Sequence, residues 1–248
     1  MEEITRPTIV TDWHTHILPG LDDGSRDPEE SVVMLQSLAA QGVSAAVLTP
    51  HFYPQAESPR RFLQRRKAAQ AILEEAIGRQ PGKGLELPSR IPGAEVYYFD
   101  ELWSLEEEHM SALCIGGSRI LMIEMPGESW DHRVFDCLEK LIYRRSIRPL
   151  IAHIDRYYKA PGGEAALDAL IGQGLLVQLN EGALSGMLAS RKALRRMQAG
   201  RIHRIGSDCH NMQDRKPELR KAMDTVEKNF GREAAAKYFS DVEDKIEG

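Results

Sequence analysis

Little in this chain points outward. Its 248 residues hold only three cysteines, Cys114, Cys137 and Cys209, scattered too widely for a disulfide framework or a thiolate zinc site. No apolar run approaches the roughly 20 residues that a membrane span needs, so no membrane insertion is expected. With 32 Lys and Arg against 37 Asp and Glu, the formal net charge is −5, which leaves no basic stripe for a nucleic-acid backbone. The opening Met1-Glu2-Glu3-Ile4 lacks a basic region ahead of an apolar segment. A secretory signal is therefore not expected, and a cytoplasmic location is. Repeats and low-complexity tracts are missing as well.

What is present is enough apolar sequence, 42%, for one sizeable core. Short β-branched runs alternate with segments of helical period, which predicts a parallel α/β fold. Seven strands are expected: Ile9–Trp13, Ala45–Thr49, Ile91–Val96, Ile120–Glu124, Pro149–Ala152, Leu175–Leu179 and Ile202–Gly206. Asp27 should cap a helix with Pro28 in its first turn and Gly42 past its end. Ser58-Pro59 should open another that runs to about Arg79, with Leu63, Ile72, Leu73 and Ile77 on its apolar face. Val134, Leu138, Leu141 and Ile142 mark a third. The stretch Pro81–Pro92 reads as a long loop within one domain, so residues 1–248 are expected to form a single barrel-like unit. Trp103 and Trp130 read as packing residues, and His109, His132 and His203 as surface or core histidines.

In α/β barrels, active sites gather at the C-terminal ends of strands. Six of the seven predicted strands deliver a residue of metal-ligand type there. The first is followed by His14-Thr15-His16 and then Asp23, and the second by His51. Glu95 and Glu124 lie at the third and fourth, His153 follows the fifth, and Asp208-Cys209-His210 follow the seventh. In an extended chain His14 and His16 point the same way and can reach one ion. Imidazole with carboxylate suits zinc, manganese or iron, and the lack of thiolates argues against a structural zinc.

The motifs Asp12-Trp13-His14-Thr15-His16, Asp22-Asp23-Gly24, Thr49-Pro50-His51, Gly93-Ala94-Glu95-Val96-Tyr97-Tyr98, Ala152-His153-Ile154-Asp155-Arg156-Tyr157 and Ser207-Asp208-Cys209-His210-Asn211 occur in this order. Together they resemble the polymerase-and-histidinol-phosphatase (PHP) superfamily. Within it they are similar to the bacterial capsule-type, manganese-dependent protein-tyrosine phosphatases, over nearly the whole chain. The resemblance implies a distorted seven-stranded (β/α)7 barrel and two to three divalent ions, with manganese first and iron or zinc as alternatives. It implies that His14, His16, Glu95 and Asp208 bind one ion. Glu95 would bridge to a second ion held by Glu124 and His153, and Asp23, His51 and His210 would hold the third. Arg156 and Arg215 match the two phosphate-contacting arginines.

Four carboxylates against three divalent ions would leave a surplus of about two positive charges, which suits a phosphomonoester dianion. A hydroxide generated there would attack phosphorus while the arginines pair with its oxygens. The implied substrate is a phosphotyrosine protein, with the tail of a bacterial tyrosine kinase in exopolysaccharide and capsule regulation as partner. Histidinol phosphate or another small phosphomonoester on the same scaffold is the alternative. An amidohydrolase-like metal hydrolase is a further one, although Met122-Ile123-Glu124-Met125 offers no bridging lysine. The loops His51-Phe52-Tyr53-Pro54-Gln55, Ile154-Asp155 and Asn180-Glu181-Gly182 depart from the family pattern and leave the substrate open, as the oligomeric state is.

Overall fold

The computed structural model describes residues 10–79, 86–127, 130–157 and 163–240. Among the described residues, nine strand segments occur in chain order: β1 (Thr11–Thr15), β2 (Ala45–Leu48), β3 (His51–Phe52), β4 (Ser89–Pro92), β5 (Glu95–Tyr97), β6 (Ile120–Glu124), β7 (Arg148–Ile151), β8 (Leu176–Asn180) and β9 (Arg204–Gly206). Among the same residues, eight α-helices intervene or follow: α1 (Pro28–Ala40), α2 (Pro59–Gly78), α3 (Glu107–Leu113), α4 (His132–Arg145), α5 (Gly163–Gly172), α6 (Met187–Gln198), α7 (Leu219–Phe230) and α8 (Arg232–Ala236). Among the described residues, no helix is long and apolar enough to cross a membrane.

All strand pairings are parallel, in the orders β1-β2-β4 and β3-β5-β6-β7-β8-β9. The sheet curls: beyond β9, the Asp208 N–H donates to the His14 carbonyl at 2.8 Å, and the His16 N–H donates to Cys209 at 2.9 Å. Thr15 and Cys209 thus form a parallel bridge that joins the last strand back towards the first. Such curvature lets every strand aim its C-terminal end at a common rim.

Two of the expected strands are broken. Ala45–Thr49 ends at Leu48, and pairing resumes at His51 after Pro50, which has no N–H to give a ladder. Ile91–Val96 is interrupted at Gly93-Ala94, where the Gly93 N–H still donates to Leu48 at 2.9 Å. The expected loop Pro81–Pro92 needs correction at its end, since Ser89–Pro92 pairs with β2; residues 80–85 lie outside the described set, as does Ile9.

The helices form where local chemistry favours them. Asp27 accepts from the Glu30 N–H at 2.8 Å, so it caps α1 as its sequence position suggests, and Gly42 follows the helix end at φ 87°, a left-handed geometry that glycine adopts without strain. Ser58 caps α2 by accepting from the Arg61 N–H. The buried face of α2 is Phe62, Ala69, Leu73 and Ala76, with Leu63 and Ile77 partly buried beside it; of the expected row, Ile72 departs, at 48% exposed. That residue lies one position off the row of fully covered side chains. Val134, Leu138 and Leu141 of α4 are buried as expected.

Burial divides into two parts. A large cluster packs helices against the sheet, including Leu35, Leu38, Phe62, Leu73 and Leu138. A smaller one gathers Trp13, Val47, Ile120, Met122, Leu150 and Leu176 from strands around the curl. The β1–β2 register slips between Asp12 and Thr15. A bulge of this kind re-aims side chains next to a site, and here it accompanies Trp13 in the apolar cluster and His14 and His16 at the rim. Trp103 carries Lys140 4.7 Å over its ring.

Candidate metal centre

The rim assembles from the strand ends upward. His14 and Glu95 lie on β1 and β5, Glu124 ends β6, and His16, His153 and Asp208 follow β1, β7 and β9. All nine residues of ligand type singled out in the sequence are linked through contacts of 3.7 Å or less. Glu95 is fully buried at the hub. Its carboxylate lies 3.1 Å from His14 Nε2, 3.3 Å from His16 Nε2, 3.1 Å from His51 Nδ1 and 2.7 Å from His153 Nε2.

The spacing fits cations better than protons. His14 Nε2 and His16 Nε2 are 3.0 Å apart, and each is 3.4 Å from Asp208 Oδ1. Two ring nitrogens at that separation can share only one proton. Ligands about 2.1 Å from one ion, by contrast, sit roughly 3.0–3.4 Å from one another. His51 Nδ1, His153 Nδ1 and His210 Nε2 are buried without a hydrogen-bond partner among the described residues. His51 Nδ1 is close to Glu95 yet outside hydrogen-bond geometry, as converging lone pairs would be. Three subsets bring ligand atoms within 4.8 Å of one another: His16, Asp23, His51 and His210; His14, His16 and Asp208; and His51, Glu95 and Glu124. His16 therefore also joins the Asp23–His51–His210 group, and His51 the Glu95–Glu124 pair.

Several imidazoles are held by the nitrogen that faces away from this centre. His16 Nδ1–H donates to Asp22 at 2.8 Å, His14 Nδ1–H to Gln178 Oε1 at 3.3 Å, and His210 Nδ1–H to the Asp208 carbonyl at 2.9 Å. Donation from Nδ1 fixes the tautomer and turns the Nε2 lone pair inward. Gln178 Oε1 also accepts from the His153 N–H at 2.6 Å, Gln178 Nε2 donates to Asn180 at 3.0 Å, and Asn180 Nδ2 donates to Asp208 at 2.8 Å. Asp22, Gln178 and Asn180 escape a search for metal-ligand types at strand ends because two of them carry amides and Asp22 acts through His16. The available signal was the polar Gln178 inside the apolar strand Leu176–Asn180.

Electrostatics and backbone tell the same story. Burial alone would raise the Glu95 and Asp208 carboxyls, but the neighbouring histidines hold both well below the ordinary carboxylate range. Burial opposes charge on His14 and His16, yet the surrounding carboxylates raise both. His210 is pushed down to about 4, by burial and then by His16. His153 and Asp208 adopt φ of 32° and 55°, left-handed values that cost a non-glycine residue about 1 kcal/mol or more. Strain at two of the nine rim residues is the kind that a functional constraint sustains.

Two guanidiniums stand over this rim. Arg156 Nη2 and Arg215 Nη2 each lie 2.9 Å from Asp208 Oδ2, while their Nη1 atoms lean to within 3.8 Å of Glu124 and 3.9 Å of Asp23. Both line an open cavity of about 510 Å³ with Asn180, Glu181, Ser207 and Lys216.

Glu181 is the anomaly of that cavity. Its Oε1 accepts from the Glu218 N–H at 3.1 Å, but Oε2 is buried without a partner among the described residues. Burial, followed by the charge of Asp12, pushes its carboxyl from 4.5 up to about 9. An unfolded chain gives up this proton near pH 4.5 while the folded chain keeps it, so the penalty on folding grows as pH rises between those values. Glu181→Gln should therefore raise stability by about 1–3 kcal/mol at pH 8 and by nothing at pH 4. Urea unfolding at both pH values checks this, and equal gains would refute it.

The comparisons with known proteins point one way. A family model described as capsular polysaccharide synthesis, CpsB/CapC, matches residues 10–246. The tyrosine-protein phosphatase CpsB of Streptococcus pneumoniae is 28% identical over 252 residues, covering 96% of this chain and 98% of that protein. The tyrosine-protein phosphatase YwqE of Bacillus subtilis is 28% identical over 231 residues, covering 90% and 86%. A solved structure from work on YwqE and CpsB, described there as metal-dependent tyrosine phosphatases, matches with a TM-score of 0.74 at 24% identity, over 91% of this chain and 89% of that one. That last likeness bears on the fold, an α/β architecture with a curled parallel sheet.

Proposed function

The chain belongs to the capsular polysaccharide synthesis CpsB/CapC family, and on that footing we propose that it is a metal-dependent protein-tyrosine phosphatase. The observation that carries the reading is the convergence of nine ligand-type side chains beneath two guanidiniums that share one carboxylate oxygen. Residues 1–248 act in this reading as one domain. Its sheet counts as seven strands when β2 with β3, and β4 with β5, are each taken as one broken strand.

His14, His16, Asp23, His51, Glu95, Glu124, His153, Asp208 and His210 would hold two to three divalent ions, manganese first as the family resemblance implies, with iron or zinc as alternatives that the same donors suit. Such ions supply Lewis-acid charge for phosphoryl oxygens and lower the pKa of water enough to yield a nucleophile near neutral pH. The rest falls to the protein's own groups. Arg156 and Arg215 present N–H forks that pair with phosphate oxygens, and Asp208 with Asn180 holds those forks in place. Asp22 and Gln178 orient the imidazoles. A phenolate leaves without needing a strong acid beside it, which suits a rim where no side chain stands out as proton donor. The phosphotyrosine-bearing tail of a tyrosine kinase in capsule regulation is the partner we propose.

Manganese-loaded protein should turn over a phosphotyrosine peptide faster than histidinol phosphate, and elemental analysis should find two to three ions per chain. A content below one ion, unchanged by added manganese, would sink the reading. Arg156→Ala and Arg215→Ala should each keep their metal and lose about one to two decades in kcat/KM, the worth of a charge-assisted pair. Parallel loss of metal would mean that the arginines do not serve phosphate.

A further inference from the structure

Three tyrosines stand on one side of the rim, and the metal cradle does not use them. Tyr53 lies two residues past His51 and stacks on its ring, with centroids 5.1 Å apart and planes at 27°. Tyr97 is two residues past Glu95 on β5 and therefore shares its face; it is paired in register with Glu124. Its ring lies 5.8 Å from Tyr53. Tyr157 reaches the same region from the turn after β7, 5.6 Å from the His153 ring, with Trp130 behind it at 5.8 Å. Trp130 is 6% exposed and Tyr157 8%, so they make a fixed wall, whereas Tyr53 and Tyr97 are only partly buried.

None of the three tyrosine hydroxyls donates or accepts a hydrogen bond among the described residues. The neighbouring Tyr98, on the opposite face, donates to Asp100 at 2.9 Å. The Tyr53 and Tyr157 hydroxyls are both pushed above their ordinary range, first by burial and then by Glu124 and Glu95. Three rings thus gather at the Glu124 side of the centre, while Arg156, Arg215 and Asn180 meet at Asp208, Arg156 also reaching towards Glu124. The rim is polar on one flank and aromatic on the other.

We infer that Tyr53, Tyr97 and Tyr157 form the slot that receives the aromatic ring of the substrate, and so set the preference for aryl over alkyl phosphomonoesters. This rests on the phosphatase reading and names the residues behind its specificity. With the phosphoryl group between the two guanidiniums, the slot requires the ester oxygen to leave on the aromatic flank. A phenyl ring there gains stacked or edge contacts on preformed surfaces, while a short alkyl ester spans too little area to gain them. Replacing rings by rings should preserve this, since the ring and not the hydroxyl makes the contact.

Phosphonates isolate the ring from leaving-group chemistry. Competitive inhibition constants of phenylphosphonate and methylphosphonate should be measured on manganese-loaded protein, with direct titration calorimetry as the readout where turnover is low. Native protein should favour the phenyl compound on the order of tenfold or more, the scale of an aromatic contact plus its burial. Tyr97→Ala and Tyr53→Ala should each cut the phenyl-to-methyl ratio several-fold, and Tyr97→Phe and Tyr53→Phe should retain it. Metal content and circular dichroism of each variant exclude collapse, and Tyr97→Leu supplies a variant that keeps bulk without the ring. Equal affinity for the two phosphonates, or a ratio unmoved in both alanine variants, overturns the slot while leaving the phosphatase intact. Failure of both phosphonates to bind native protein removes the phosphatase reading itself, and the slot with it.

Discussion

Glu95→Gln should reduce turnover of an aryl phosphate by about three orders of magnitude, because several kcal/mol of charge stabilisation disappear together. The side chain is fully buried and meets four imidazoles between 2.7 and 3.3 Å. Glutamine keeps the shape but removes the charge, and its amide nitrogen turns donor hydrogens where a lone pair was offered. Cations sharing Glu95, as proposed, would repel one another, and negative charge placed between them would offset that repulsion. More than one ion should therefore weaken, and elemental analysis should show a loss greater than that of Glu124→Gln. Glu124 is the right control because it is 16% exposed at the side chain and approaches His51 and His153 only at 3.7 Å. Near-normal occupancy and turnover in Glu95→Gln would show that the hub lies elsewhere on the rim.

Why Glu95 was visible in the sequence at all, and Gln178 was not, follows from what each contacts. Strand-end positions are readable because β-runs are local and their C-terminal ends are one residue wide. Most rim residues therefore announce themselves by type and place; Asp23, in the loop after β1, does so by type alone. Gln178 is defined by His14 and His153, 164 and 25 residues away, and no local pattern encodes a partner at such separations. Asp22 likewise acquires its role only when His16 and the His51 N–H close upon it at 2.8 and 2.9 Å. Helix ends were legible at Asp27 and Ser58 because a cap is a four-residue event. The breaks at Pro50 and Gly93 were harder. Both residues carry punctuation, yet whether a strand ends or resumes depends on the neighbour it pairs with. Ile72 was misread for a related reason: α2 is covered along one narrow row, and periodicity alone cannot say which of two adjacent apolar residues lies on it.

Closure of the sheet has its own single-residue test. At Gly206, the last residue of β9, an added Cβ would stand 2.6 Å from the His14 Cβ, 2.7 Å from its nitrogen and 3.1 Å from its Cα. Carbon atoms in contact prefer about 3.5–4.0 Å, and backbone atoms cannot rotate aside, so β1 and β9 would have to part by roughly 1 Å. The bonds across that seam include the Ser207 N–H to Asp12 and the Asp208 N–H to His14, each 2.8 Å. Parting it therefore moves Asp208 away from His14 and His16 at the same time as it loosens the fold. Gly206→Ala should cost about 3 kcal/mol, at the upper end of overpacking penalties, read as a lower urea midpoint at unchanged slope. Metal content should fall with it, since Asp208 lies only two residues downstream. Gly78→Ala makes the comparison fair: it ends α2 with nothing within 4 Å of the new carbon, and should be neutral or slightly stabilising. A Gly206→Ala protein that unfolded within about 0.5 kcal/mol of the native chain with full metal content would mean that the seam between the first and last strands has more room than this geometry allows.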